Sequence, residues 1–382
     1  MRRTTRTRLA AVAGLGLAVL AAACGGGAEA AGPSTLPTLP PSFASTTSTR
    51  PRVTAPDGST VPSVETTTTT TIPPAVWPLT GLPGADVPRA ALPALVVKID
   101  NHPRARPQVG LVQADVVFEE IVEGITRFFA VFHSTVADPV GPVRSARTTD
   151  INLLRQLQRP MFAWSGANNG TIKALREADV ATDVGYAFHS KEAGWFRDAA
   201  RRAPHNLFST TTALWGLTPQ GAGPPPPLFK YRAAGAPAPG VPAAGVKLTM
   251  LGTKVLWQWD PVGGVWLRTQ DDQPHVDASG TRIAPANVVV MSVEYRRSPA
   301  DPISPEAVTV GEGDLLVFTG GNVIAGRWVR PDPSKPATLI DQAGAEILLT
   351  PGRTWVELSR PGGANVVPAG TDPATVPYPS AK

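Results

Sequence analysis

One cysteine in 382 residues limits this chain more than any other feature. That residue is Cys24, and a lone thiol closes no internal disulfide and builds no zinc–thiolate site. The fold must therefore be held by its apolar core. The sequence is 42% hydrophobic and 17% charged. Once the low-complexity ends are set aside, that composition supports one large or two medium domains.

The ends explain where the cysteine goes. Arg2, Arg3, Arg6 and Arg8 precede an apolar run from Leu9 to Ala23. A membrane-crossing helix needs about 20 apolar residues. This run is shorter and stops at Ala21-Ala22-Ala23-Cys24, followed by glycines. Residues 1–23 read as a signal peptide. The junction resembles the bacterial lipobox, in which the Cys thiol receives diacylglycerol and becomes the new N-terminus. The box usually has Leu three residues before the Cys; here that place is Ala21, with Leu20 one step earlier. At about 0.8 kcal/mol per buried CH₂, two or three acyl chains anchor a protein stably. We expect lipidation at Cys24 and a protein held to the membrane on its extracytoplasmic side. The net charge of +5 includes those four arginines, so the processed chain is close to neutral. Nucleic acid is not an expected partner.

Residues 24–75 are rich in Ala, Pro, Ser and Thr and too poor in apolar surface to offset ordering entropy, so they read as a disordered tether. Residues 76–220 mix strand and helix signals. Strands are expected at Leu95–Ile99, at Ala114–Val122 and Ile125–His133 as a hairpin, and at Phe162–Trp164. Helices are expected after Thr149-Asp150 and from Thr171 to Ala178. A Gly/Pro linker at 221–227 contains four successive prolines, which exclude helix and central strand. Residues 228–360 are mostly strand, with expected segments near 254–259, 265–268, 287–293, 315–318, 327–329, 347–349 and 354–358, suggesting a small barrel or sandwich. Residues 361–382 read as a flexible tail. The fold class is α+β, a mixed N-terminal domain followed by a smaller β-rich one.

Chemistry-bearing side chains crowd into residues 98–147. Charges inside β-rich sequence are expensive unless paired, so a network of Arg–carboxylate bridges tying strand ends together is one reading. The other is a cleft facing a ligand. In strand geometry Asp115, Glu119 and Glu123 share a face. Paired carboxylates also suit acid–base work at a glycosidic bond, which makes Glu119 and Glu123 catalytic candidates. Arg144, Ser145 and Arg147 run straight into the expected helix, whose free N–H groups attract anions. Arg104, Arg106 and Arg127 add guanidiniums suited to phosphate or carboxylate. His205 beside Asn206 is the best proton carrier, since imidazole titrates near neutrality. No histidine spacing supports a zinc site, no Walker or dinucleotide-binding loop is present, and no metal or cofactor is expected.

Several of these stretches together resemble the YerB-like lipoprotein family: Pro78–Gly81, Arg106–Leu111, Ala114–Glu120, Val122–Arg127, Gly141–Arg147, Pro204–Leu207, His275–Asp277 and Asn287–Val289. The resemblance runs in order over nearly all the expected folded sequence. It departs at Glu123-Gly124-Ile125, where the family usually shows two glycines. It implies a lipoprotein with an N-terminal and a C-terminal part and names no reaction. Three readings follow. The first is a protein that binds an anionic cell-wall or lipid-linked glycan, or a phosphate-bearing ligand. The second is an enzyme on such a glycan. The third is a partner for another envelope protein through the Trp-rich second half.

Overall fold

The computed structural model describes residues 75–380. The signal peptide, Cys24 and the tether up to residue 74 lie outside the described residues. Strand dominates. The strands are β1 (Leu95–Asp100), β2 (Val116–Ile121), β3 (Thr126–Phe132), β4 (Met161–Ala163), β5 (Thr182–Asp183), β6 (Phe196–Arg197) and β7 (Leu207–Phe208). After them come β8 (Val241–Met250), β9 (Thr253–Asp260), β10 (Val265–Gln270), β11 (Gln273–Pro274), β12 (Asn287–Ser292), β13 (Tyr295–Arg297) and β14 (Pro305–Ala307). The last are β15 (Gly311–Thr319), β16 (Asn322–Arg330), β17 (Thr338–Asp341), β18 (Thr354–Ser359) and β19 (Ala364–Pro368). The principal helices are α1 (Thr149–Arg155) and α2 (Asn169–Ala178).

Fifteen strands form one sheet in the order β11-β10-β9-β8-β16-β15-β12-β18-β2-β3-β1-β4-β5, with β17 on β16 and β19 on β8. The Gly221–Pro227 stretch therefore separates two lengths of sequence that share a sheet. The junction is β18, which pairs in parallel with β2 on one side and β12 on the other.

The central strands are apolar on both faces because both faces are covered. Leu95, Val97, Ile99, Val117, Phe128 and Ala130 join a core with Trp257, Trp266 and Trp355, under the layer of β8 to β10. Val96, Val116, Phe118, Phe129 and Val131 join a second core with Leu153 and Leu154 of α1 and with Trp164 and Trp328. Burying one such aliphatic or aromatic side chain contributes about 1.5–3 kcal/mol. The tryptophans of the second half are mostly spent here: Trp257, Trp266, Trp328 and Trp355 are all buried.

This alternation also sorts the charges. Lys98, Asp100 and Glu120 share the face of Val96 and Phe118, while Glu119 shares that of Val117. The adjacent acids Glu119 and Glu120 thus leave the sheet on opposite sides. The expected shared face of Asp115, Glu119 and Glu123 does not form, because β2 ends at Ile121 and begins after Asp115. Residues 347–349 are not a strand, since only isolated bridges form there.

The C-terminal segment departs from its expectation as a flexible tail. β19 pairs with β8 and so closes an otherwise open edge. Beyond it, Lys247 Nζ donates to the Val376 carbonyl at 2.7 Å and Thr249 Oγ1 to that of Pro379 at 2.7 Å. The ring of Tyr378 sits beneath the ammonium groups of Lys247 and Lys254.

Candidate functional site

Three backbone segments converge at the end of β1. Residues 140–144 run as an extended ribbon between β1 and the β6–β7 hairpin. On one side Asp100 N donates to the Pro142 carbonyl and Arg144 N to that of Lys98, at 2.9 and 2.8 Å. On the other, Val143 N donates to the Leu207 carbonyl at 2.7 Å. Gly141 makes the approach possible: with φ at +149°, a Cβ there would meet the Phe208 ring at 2.7 Å and the Leu207 carbonyl at 2.9 Å. The loop between β6 and β7 is clamped down by Arg201, which donates to the carbonyls of Ala105 and Pro107.

The convergence puts His205 beside Asp100. Asp100 Oδ2 lies 2.7 Å from His205 Nδ1, and a carboxylate only accepts, so Nδ1 carries the hydrogen. Nε2 is left as the second functional nitrogen of the ring. The His102 imidazole stacks on it at 4.3 Å between ring centroids. Burial, and then the charge of His205, push His102 below the usual imidazole range. Arg144 Nε lies 3.2 Å from Asp100 Oδ2, and the side chain is 26% exposed. Among the described residues, its two terminal nitrogens donate to no protein group.

Behind this rim the arginines are occupied. Arg147 grips Glu123 with Nε and Nη2 at 2.7 and 2.8 Å. Against the push of burial, the Arg147 and Ser304 hydrogen bonds and the Arg147 charge hold Glu123 down at about 2. Arg127 donates to the Ser145 carbonyl at 2.9 Å, and burial followed by the Arg147 charge lowers it to about 10. Arg127, Arg144 and Arg147 thus pair with Asp100 and Glu123, and Asp150 and Asp301 lie close behind.

A second polar cluster lies on the opposite face of β2 and is sealed. Glu119 accepts from Arg268 Nη2 at 2.7 Å, Thr126 Oγ1 at 2.6 Å and Trp355 Nε1 at 3.2 Å. Its register partner Glu357 accepts from Trp257 Nε1 at 2.7 Å. Burial, and then the Glu119 charge, hold Glu357 well above the usual carboxylate range. Asn101 joins this cluster to the first, since its amide donates to Thr126 and Gln270 while its neighbour Asp100 holds His205.

With this geometry in view, the comparisons with known proteins are informative. Residues 79–222 match the model described as "Protein of unknown function (DUF3048) N-terminal domain", and residues 246–356 match its C-terminal counterpart. The chain belongs to the DUF3048 family. YerB of Bacillus subtilis (strain 168), by name a candidate lipoprotein, is 28% identical over 293 residues, covering 74% of this chain and 85% of that protein. The crystal structure of the YerB protein from Bacillus subtilis superimposes with a TM-score of 0.66 at 24% identity. That match covers 76% of this chain and 99% of that one, and it shows the fold.

This DUF3048 chain brings together Arg127, Arg144, Ser145, Arg147 and His205 from the sequence candidates. Arg104 is exposed on the short turn after His102. Arg106 turns the other way, to Asp271 at 2.9 Å and to Asn101. Asp115 is structural, accepting the backbone N–H groups of His133 and Ser134 at 2.6 and 2.7 Å. Asn206 is taken by Arg197. The expected helical anion site is filled from within: α1 has seven residues, and Asp150 Oδ2 takes the Arg147 N–H at 2.7 Å. Asp100 and His102 were missed as site residues. Their signal was a polar trio, Asp100-Asn101-His102, ending an apolar strand. Arg268 and Glu357 gave no comparable signal, each being the one charged residue of its strand. Among the described residues no cluster of His, Cys, Asp or Glu has metal-holding geometry.

Proposed function

We propose that this protein is a membrane-anchored lipoprotein on the extracytoplasmic side, lipidated at Cys24, that binds a phosphate-bearing or otherwise anionic envelope glycan at the Arg144–His205 rim. The observation that carries the binding reading is Arg144. Its guanidinium is partly exposed with both terminal nitrogens free, while Arg127 and Arg147 behind it are occupied. A free fork beside two imidazoles suits a phosphate or carboxylate. The relative named as a lipoprotein supports the anchored reading. No helix among the described residues is long and apolar enough to cross a membrane.

The test titrates the compact unit beginning at Pro73 with inorganic phosphate and with fractionated wall and lipid-linked glycans. A charge-assisted contact contributes about 1.5–3 kcal/mol. Arg144→Ala should therefore weaken binding by about 10- to 100-fold. Equal binding by both proteins, or none by either, rejects the reading.

The Asp100–His205 contact favours one further reading, proton transfer on the bound glycan. A carboxylate that fixes an imidazole tautomer is the arrangement of a general base. His205→Gln would then abolish turnover while leaving glycan binding in place; a glycan unchanged by the wild-type protein removes this reading. The strand acids offered for that role, Glu119 and Glu123, are both committed to arginine. An envelope-protein partner through exposed tryptophans lacks support, since those side chains lie largely in the core.

A further inference from the structure

Lys98 occupies an unusual place for a cation. Its Nζ lies 2.5 Å from Glu120 Oε1 and 2.7 Å from Asp150 Oδ1, and all three side chains are fully buried. Phe129 flanks the ammonium at 5.6 Å. The triad sits on the α1 face of the sheet, among Val96, Phe118, Phe129, Leu153 and Leu154. It adjoins the rim through the Arg147 backbone N–H, which Asp150 accepts, but does not depend on the ligand-binding reading.

Three formal charges in a dry core, one positive and two negative, are costly to keep. Passing one proton from the Lys98 amine to Asp150 sets a neutral amine against a neutral carboxyl, a reactive pair, and leaves Glu120 as the carboxylate that takes the next proton. Held in contact, such a pair gains an effective concentration of about 10⁵–10⁸ M when well oriented. The core also excludes the water that would reverse the reaction.

We propose that Lys98 and Asp150 condense into an intramolecular amide bond, with Glu120 moving the protons. Lys98 Nζ attacks Asp150 Cγ, and the N–C bond forms as the Cγ–Oδ1 bond breaks. Glu120 accepts a proton from Nζ and delivers it to the departing oxygen, which leaves as water. Nothing is oxidised or reduced, and no co-reactant is required.

The two carboxyls differ in a way that assigns these roles. Asp150 Oδ2 accepts the Arg147 backbone N–H at 2.7 Å, so a donor already faces the oxygen on which charge builds during attack. Glu120 Oε2 has no hydrogen-bond partner among the described residues. Burial raises Glu120 above the usual carboxylate range, the Lys98 charge opposes this, and the Asp150 charge adds to it. A carboxyl that holds its proton more tightly than usual is suited to a shuttle. The bond would tie β1 to the start of α1, 52 residues away, in a chain whose one cysteine forms no internal cross-link.

Tryptic mapping of the full-length protein, extracted in detergent, tests this. Trypsin does not cut after an acylated lysine. The expected product is peptide 90–104, uncut at Lys98, joined to peptide 148–155, with a mass one water below their sum. Glu120→Gln should return the separate peptides 90–98 and 148–155. Separate peptides from the wild-type protein overturn the proposal, and that map decides even if the variant does not fold. A product joining 90–104 to 105–127 would place the bond on Glu120 and overturn the assignment to Asp150. A Glu120→Gln protein still fully cross-linked would overturn the shuttle.

Discussion

The rim around Asp100 and the sealed cluster around Glu119 are built from the same side-chain types on the same neighbouring strands, yet they end differently. In the sealed cluster Arg268 meets Glu119, Gln270 and His275 and lies against the rings of Phe128, Trp257 and Trp355. At the rim Arg144 meets one carboxylate and then solvent. One cluster is closed to solvent, with Arg268 Nε, Gln270 Nε2 and Glu357 Oε2 unpartnered inside it among the described residues; the other turns its free donors outward. The difference arises because β8 to β10 cover one face of the central strands as far as Glu119, while the Asp100 end of β1 is met only by a narrow ribbon and a short hairpin.

The sharpest way to break this contrast is Arg268→Met. It strands Glu119 beside Glu357 without a cation, and removing one partner of a buried pair costs about 3–5 kcal/mol. Urea unfolding should show that loss; a change under about 1 kcal/mol would mean that water reaches the cluster.

Buried imidazoles give the next largest effect. His133 is sealed against Trp77, and burial, opposed by hydrogen bonding to the Leu92 and Ala90 carbonyls, lowers it from 6.5 to about 4. A folded value below the unfolded one means that the unfolded chain binds the proton more readily. This stability is complete above pH 6.5 and falls as pH drops toward 4, by about 3 kcal/mol in all. His275 is lowered too, by burial and then by Arg268, and acts in the same sense. Chemical unfolding at a series of pH values should show the slope, and His133→Phe should flatten part of it.

Two substitutions should do little to stability. Glu357→Gln keeps the acceptor for Trp257 and removes a carboxyl whose charge burial opposes, so it should cost no more than about 1 kcal/mol; a larger loss in the same urea assay would mean that the negative charge is needed there. Arg144→Ala should change stability by about 1 kcal/mol or less, as a partly exposed pair does. A thermal melt as destabilised as that of Arg268→Met would erase the distinction between the two clusters.

Local pattern was readable in the sequence. The apolar run at 95–99, the hairpin across Glu123-Gly124 and the helix after Thr149 all stand close to where periodicity put them. Gly320 and Gly321 form the turn between β15 and β16, both at positive φ. β8 was not readable, because Pro242 and Gly245 interrupt its alternation. Pairing was not readable either: nothing in Trp355-Val356-Glu357 says that it lies against Val117-Phe118-Glu119. The site suffered the same limit. Asp100 and His205 are 105 residues apart, and only the ribbon at 140–144 makes them neighbours. An acid read from its strand shows its face; its partner belongs to another part of the chain.

The position of β18 carries a consequence for the life of the polypeptide. It is drawn from near the C-terminal end of the chain, yet it fills the gap between β12 and β2. While the ribosome works from the N-terminus, the middle of the sheet stays open until residue 359 has been made. A message cut short, or a chain clipped before Thr354, would leave two naked strand edges facing each other and not a smaller working protein. Cellular proteases and chaperones would meet such a product as unfinished, which makes the stretch from β1 to β18 a single unit of quality control.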